Sequence, residues 1–172
     1  SRRYGGGIFR STDNGESWQP ANAGLTVTNA NAPSLAMDSS GAIYAGVYGG
    51  VFRSIDGGIN WTPLNNGLAN TDVNALAVNF AGQVFAGTRR GVFRSVESGG
   101  WMQVNNGLTS TTVLSLAINA AGQIFAGTYG GGLFRSNDNG RSWKRVNAGL
   151  TNTDVRALAV SPGTAANAVK LR

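Results

Sequence analysis

The octapeptide Ser11-Thr12-Asp13-Asn14-Gly15-Glu16-Ser17-Trp18 returns twice, as Ser54-Ile55-Asp56-Gly57-Gly58-Ile59-Asn60-Trp61 and as Ser136-Asn137-Asp138-Asn139-Gly140-Arg141-Ser142-Trp143. A shortened copy, Ser95-Val96-Glu97-Ser98-Gly99-Gly100-Trp101, stands between the last two, so that successive boxes begin 43, 41 and 41 residues apart. The flanks repeat as well: G-V-F-R leads into the box, and N-x-G-L-T, V-x-A-L-A-V and G-Q-I-F-A-G-T follow it. A chain of 172 residues built this way is a stack of like units, each of which buries its apolar faces against its neighbours.

Every unit holds four short apolar runs separated by Gly, Asn, Asp, Ser and Thr, the residues of tight turns. In the second full unit the runs are Val73 to Val78, Gln83 to Thr88, Gly91 to Ser95 and Trp101 to Asn105. None has helical spacing. Strict alternation puts Val73, Ala75 and Ala77 on one side and Leu76 and Val78 on the other, and both sides are small or apolar. A half-exposed sheet would alternate with polar residues, so these strands are expected to be covered on both faces. The predicted class is all-β, a β-propeller of four-stranded antiparallel blades, because the long period disfavours a β-helix or a sandwich. The blades are placed at 33–66, 73–106 and 113–147, with a half-blade at 1–22 and a partial blade at 155–172. Residues 163–172 do not match G-Q-I-F-A-G-T and are either a degenerate second strand or vector-derived. The two partial blades nearly make one more. The ring closes as four blades, or chains associate to complete it, or the chain is a fragment of a larger propeller.

The box strongly resembles the Asp-box, or BNR, repeat family, and the resemblance covers residues 5 to 161. That family includes sialidases, sortilin-type receptors, xyloglucan-degrading glycoside hydrolases and a photosystem II assembly factor, all using propellers, and it implies a secreted or periplasmic setting. A physical reason stands beside the likeness. The carboxylates of Asp13, Asp56 and Asp138, with Glu97 in the divergent copy, can accept bonds from backbone N–H groups of their own turns, and glycine supplies a positive φ. Trp18, Trp61, Trp101 and Trp143 are each expected to fold back over the hairpin and bury their rings.

Composition removes much chemistry. Cysteine and histidine are absent, which excludes disulfides, thiolate nucleophiles, Cys/His zinc sites and imidazole bases. No apolar stretch reaches the roughly 18 residues that span a bilayer, and Ser1-Arg2-Arg3-Tyr4 lead straight into a strand, with no signal peptide read there. The eight carboxylates are all on pattern: Asp13, Asp56, Glu97 and Asp138 in boxes, Asp72 and Asp154 in matching connections, Glu16 at a variable box position, and Asp38 where other copies have Asn79, Asn119 and Ser161. None is left to pair as acid and nucleophile of a glycosidase. Nor is there the F/Y-R-I-P signature or tyrosine nucleophile that the sialidase resemblance would require. No catalytic residue, metal site or cofactor is assigned.

Variation concentrates in the loop joining the second and third strands, where Tyr48, Arg89, Arg90 and Tyr129 stand, with Tyr4 at the N-terminal counterpart. This loop emerges on the face opposite the boxes, where propellers hold ligands. The plainer reading is a solvated loop tip. Tyr and Arg suit sugar rings or anionic groups, so the expected function is a noncatalytic binding or scaffold module for carbohydrate or an acidic protein surface. The alternative is a fragment of a sialidase-like or other glycoside hydrolase whose catalytic residues lie outside the chain. Net charge is +6, from 14 Lys+Arg against 8 Asp+Glu, but the basic residues are scattered and form no nucleic-acid reading motif. Arg10, Arg53, Arg94 and Arg135 recur just before the boxes and are read as structural, bonding turn carbonyls or stacking on aromatics.

Overall fold

The structure is a computed structural model, which describes residues 7–26, 34–160 and the backbone of the strand 168–170. Its strands are β1 (Phe9–Arg10), β2 (Gln19–Pro20), β3 (Ser34–Met37), β4 (Ile43–Val47), β5 (Gly50–Ser54), β6 (Thr62–Pro63), β7 (Val73–Val78) and β8 (Val84–Thr88). They continue with β9 (Gly91–Ser95), β10 (Trp101–Gln103), β11 (Val113–Ile118), β12 (Ile124–Thr128), β13 (Gly132–Ser136), β14 (Lys144–Arg145), β15 (Leu158–Val160) and β16 (Ala168–Lys170).

These strands form three four-stranded sheets, β3 to β6, β7 to β10 and β11 to β14, each paired in sequence order, and two two-stranded sheets, β1–β2 and β15–β16. All pairings between strands are antiparallel. The pairing of Leu158 with Lys170 and of Val160 with Ala168 makes 168–170 a second strand, despite its unlike sequence.

The hydrophobic clusters lie between blades. One joins Tyr44 and Val51 to Val73, Leu76, Phe93 and Trp101 of the next sheet. A second joins Phe85, Val92 and Val104 to Val113, Phe134 and Trp143. The third joins Ile8 and Ala21 to Ala45, Phe52 and Trp61. β4, β5, β8 and β9 therefore each feed two seams, one from each face, which is why neither of their faces shows the polar alternation of a solvated sheet.

Two local features differ from a simple alternating strand. Thr88 and Gly87 pair with Val73 and Ala75, which leaves Asn74 as a bulge, and Leu114 is bypassed in the same way between Val113 and Ser115. A bulge shifts the facing of everything on one side of it. Val73 therefore shares the face of Leu76 and Val78, packed in their cluster, and not that of Ala75 and Ala77 as strict alternation predicts. The valine then enters the neighbouring blade. A Cβ on Gly46 would lie 2.6 Å from Val73 Cγ1, and one on Gly87 would lie 2.6 Å from Val113 Cγ1. The glycine of the repeated F-A-G-T and Y-A-G-V runs is thus a notch for the next blade's first valine.

The tryptophans also do more than cover their own hairpins. Trp61 Nε1 donates to Ala21 O at 2.9 Å, Trp101 Nε1 to Leu64 O at 2.7 Å and Trp143 Nε1 to Val104 O at 2.7 Å. In each case the acceptor belongs to the preceding blade. The backbone N–H groups of the same three residues donate to Ala23 O, Asn66 O and Asn106 O, so each box is fastened across the seam by two bonds. Trp18 is different: its Nε1 turns to Gly15 O and the residue is 62% exposed. The expected burial of its ring does not occur, because no blade among the described residues lies in front of it.

Candidate functional site

Three of the boxes share one geometry. Ser17 N donates to Asp13 Oδ1, Asn60 N to Asp56 Oδ1 and Ser142 N to Asp138 Oδ1. The box serine completes the fastening, donating from Ser11, Ser54 or Ser136 Oγ to the same carboxylate and accepting from the N–H of Gly15, Gly58 or Gly140. Hydrogen bonds to the ionised form hold these acids below the ordinary range. For Asp13 the largest cause is the Ser17 hydroxyl, and for Asp56 it is the backbone N–H of Asn60. Asp138 is lowered to about 2, chiefly by the Ser142 hydroxyl.

The divergent copy closes differently. Val96 N donates to Gly100 O and Gly99 N to Val96 O, so backbone groups make the turn. Ser95 Oγ instead accepts from Val84 N. Glu97, exposed on this turn, does not take over the aspartate's fastening, since the loop is one residue shorter and its own main chain already closes it. Trp101 keeps its place in the seam.

Asp38 Oδ1 accepts from Ser40 N and Ala42 N while Oδ2 accepts from the Tyr44 hydroxyl, which places this acid in the turn between β3 and β4. Asn79 Oδ1 does the same work for Ala81 N and Gln83 N. Two of the recurring arginines make contacts of the structural kind: Arg94 Nη1 donates to Asn139 O of the next box at 2.9 Å, and Arg53 lies 6.0 Å from the ring centre of Tyr44.

On the opposite end of the blades, Tyr48 and Tyr129 stand exposed beside the glycines of their loops. Arg89 and Arg90 occupy the same loop of the intervening blade and are exposed. These loops are tied to the connections between blades through Gly49 N to Thr71 O and Gly132 N to Thr153 O. The connections bring acids to the tyrosines and arginines: Asp72 bridges to Tyr48 in the backbone and lies 3.8 Å from Arg89 Nε, while Asp154 accepts from Gly130 N and lies 3.9 Å from Arg156. The face is therefore mixed in charge, with a tyrosine on each of two blades and a pair of arginines on the blade between them. Tyr4 lies outside the described residues.

Shallow, open depressions occur on the box side among the described residues. One, of about 460 Å³, is lined by Asn79, Phe80, Ala81, Gly122 and the box residues Asn137 to Asn139 with Arg141. Phe80 is the exposed ring at its rim. Sequence reasoning missed it, although the signal was present: Phe80 stands where the other turns have Ser39 and Ala120. Among the described residues no group of three or more His, Cys, Asp or Glu could hold a metal ion. No helix among them is long and apolar enough to cross a membrane.

Four-stranded sheets packed face to face along repeated Ser–Asp–Gly–Trp turns define the chain as a β-propeller. The family model for the BNR/Asp-box repeat matches residues 9–20, the first of these turns. The fold is similar to the extracellular domain of a one-component system, BT4673, of B. thetaiotaomicron, with 18% identity, a TM-score of 0.71, and coverage of 90% of this chain and 22% of that one. YCF48 bound to D1 peptide is similar at 20% identity and a TM-score of 0.68, over 91% of this chain and 52% of that one. The GH74 xyloglucanase of Xanthomonas campestris is similar at 23% identity and a TM-score of 0.58, over 83% and 22%. The chain thus spans about a fifth to a half of these structures. No curated protein matches the sequence.

Proposed function

We propose that the chain is a noncatalytic binding or scaffold module, whose ligand is carbohydrate or an anionic protein surface met on the face opposite the Asp boxes. The observation that carries this reading is the fate of the acids. Asp13, Asp56 and Asp138 are held ionised as turn fasteners, Asp38 serves a turn, and Asp72 and Asp154 face arginines. An acid held ionised makes a poor proton donor at neutral pH. Tyr48 and Tyr129, each beside glycine, offer flat apolar rings with polar tips, the chemistry that stacks on sugars or anchors a peptide.

The likeness to YCF48 with a peptide bound supports a protein ligand, and the likeness to an extracellular sensor domain supports a secreted or periplasmic setting. A second reading, a piece of a glycoside hydrolase whose catalytic residues lie on other blades, draws on the xyloglucanase likeness. One experiment separates them: glycan and acidic-peptide arrays together with sialidase and glucanase assays. Binding that Tyr129→Ala reduces by about tenfold or more, without turnover, supports the module. Saturable hydrolysis overturns it in favour of the second reading, and absence of binding on every array overturns the ligand classes named.

A further inference from the structure

The sequence holds four Asn-Gly pairs, Asn14-Gly15, Asn66-Gly67, Asn106-Gly107 and Asn139-Gly140, and the fold treats them in two ways. In the boxes the glycine nitrogen is occupied: Gly15 N donates to Ser11 Oγ at 2.8 Å and Gly140 N to Ser136 Oγ at 2.9 Å. Asn139 is further held by its side chain, whose Oδ1 accepts from Asn79 Nδ2 while its Nδ2 donates to Gln83 Oε1. The other two pairs follow the fourth strands of their blades. Asn66 and Gly67 are the central residues of a tight turn closed by Leu68 N to Asn65 O, and Asn106 and Gly107 of one closed by Leu108 N to Asn105 O. All four of these residues are exposed. Among the described residues, neither of these glycine N–H groups and neither of these asparagine side chains has a hydrogen-bond partner.

The fold accounts for the glycines of these turns but not for the asparagines. A Cβ on Gly67 would lie 2.7 Å from Trp101 O, and one on Gly107 would lie 2.3 Å from Trp143 O, so the close seam requires glycine at both. The residue before it brings only a carbonyl to the seam: Ala23 O, Asn66 O and Asn106 O accept the N–H of Trp61, Trp101 and Trp143. Two of the four repeats carry alanine there, Ala23 and Ala148, so an amide side chain at 66 or 106 contributes nothing that the blades use. The bond from the tryptophan N–H has a chemical effect as well. A donor on a peptide oxygen draws electron density from the peptide nitrogen, which makes the N–H of Gly67 and of Gly107 more acidic.

We propose that Asn66 and Asn106 are sites of spontaneous covalent modification, at which the folded protein deamidates and isomerises while Asn14 and Asn139 stay intact. Gly67 N gives up its proton to solvent base and attacks Cγ of Asn66. The N–Cγ bond forms, the Cγ–Nδ2 bond breaks, and the amide nitrogen leaves as ammonia with a proton taken from water. Water then opens the cyclic succinimide at either of its carbonyls. Opening at Cγ gives aspartate, whereas opening at the main-chain carbon gives isoaspartate, in which the chain runs on through the former side chain and is longer by one methylene. Asn106 and Gly107 react in the same way. Each event adds one negative charge to a chain whose net charge is +6. In the isoaspartate the oxygen that received the Trp101 or Trp143 N–H belongs to a free carboxylate at a branch of the chain, so the modification loosens the seam that its own turn fastens.

Incubation of the folded protein in mildly alkaline buffer, made with water enriched in heavy oxygen so that each new hydrolysis carries a label, tests this after proteolysis and fragment mass spectrometry. The expected result is conversion at Asn66 and Asn106 about tenfold or more faster than at Asn14 and Asn139, since the box glycines must first lose a hydrogen bond. In denaturant the four rates should converge. Aged protein should accept methyl groups from an isoaspartyl carboxyl methyltransferase. The double variant Asn66→Ala/Asn106→Ala, which carries the residue of the other two repeats, should fold, keep its urea midpoint on ageing and lose most of that acceptance, while the midpoint of the aged parent protein falls. Equal rates at the four pairs in the folded protein, no conversion at Asn66 and Asn106 until denaturant is added, or an ordering that survives denaturant would each overturn the proposal. Conversion to aspartate alone, with no methyl acceptance, would overturn the isomerisation.

Discussion

Trp61 and Ala21 are forty residues apart in sequence, yet the indole N–H of one donates to the carbonyl of the other at 2.9 Å. The bond passes from one blade to the one before it, and the same bond recurs from Trp101 and Trp143. Removing the ring at Trp61 therefore opens a seam and not merely a turn. Trp61→Ala is expected to cost about 3 to 5 kcal/mol, the range for truncating a buried aromatic. Trp143→Phe, which keeps most of the ring and strands the Val104 carbonyl, should cost about 1 to 3 kcal/mol. Urea unfolding of both variants checks the order, and an unchanged midpoint in Trp143→Phe would show that the bond contributes nothing.

The glycine notch in the second strand gives a paired expectation. Gly87→Ala would drive a methyl group against Val113 Cγ1, and overpacking of this kind costs about 1 to 3 kcal/mol. Val113→Ala alone should also destabilise, by opening a cavity. The two together should be less harmful than their sum, because each relieves the other. A double-mutant cycle by denaturant titration reads that coupling, and strict additivity would contradict the notch.

Acid should weaken the protein through its boxes. Asp13, Asp56 and Asp138 are all lowered in the folded state from an ordinary value of 3.8, so the unfolded chain binds protons that the folded chain refuses. Stability from these groups is fully present above about pH 5 and falls as pH drops through the interval from 3.8 toward about 2 for Asp138. Asp138→Ala should lower the urea midpoint at pH 7 and flatten its fall between pH 5 and pH 2.5. A variant with an unchanged acid slope would remove Asp138 from this account.

Asn105 offers a further check on the turns. Its Oδ1 accepts from Val92 N at 2.8 Å and its Nδ2 donates to Arg90 O. Asn22, Asn65 and Asn147 likewise accept from Ile8, Val51 and Leu133. Asn105→Ala strands the Val92 N–H and should cost about 1 to 3 kcal/mol. Amide exchange at Val92 should quicken, while that at Val51 should not.

Periodicity made the blades legible because turn chemistry and strand alternation are local. The strands of the second full blade were readable to within a residue or two, and the carboxylates of Asp13, Asp56 and Asp138 could be assigned to turns from their spacing to Gly15, Gly58 and Gly140. What could not be read was whatever depends on the adjacent blade. Asn65 and Asn105 look like left-handed turn residues in N-N-G, but their side chains fasten the third strand and the left-handed positions are Gly67 and Gly107. The facing of Val73 depended on a bulge at Asn74, which alternation alone conceals. The seam acceptors of the indoles were equally invisible, since a carbonyl has no sequence signature. At the candidate binding face the residue types Tyr48, Arg89 and Tyr129 were plain, but not that Asp72 would neutralise part of the basic character.

Because every hydrophobic cluster is shared by two successive repeats, no repeat can drift alone. A change at Val73 must be answered at Gly46, and a change at Trp143 at Val104, in a different copy of the unit. The loop tips carry no such obligation. A lineage built from these repeats can therefore exchange what it recognises, one tip at a time, while its frame is held fixed by mutual constraint among copies.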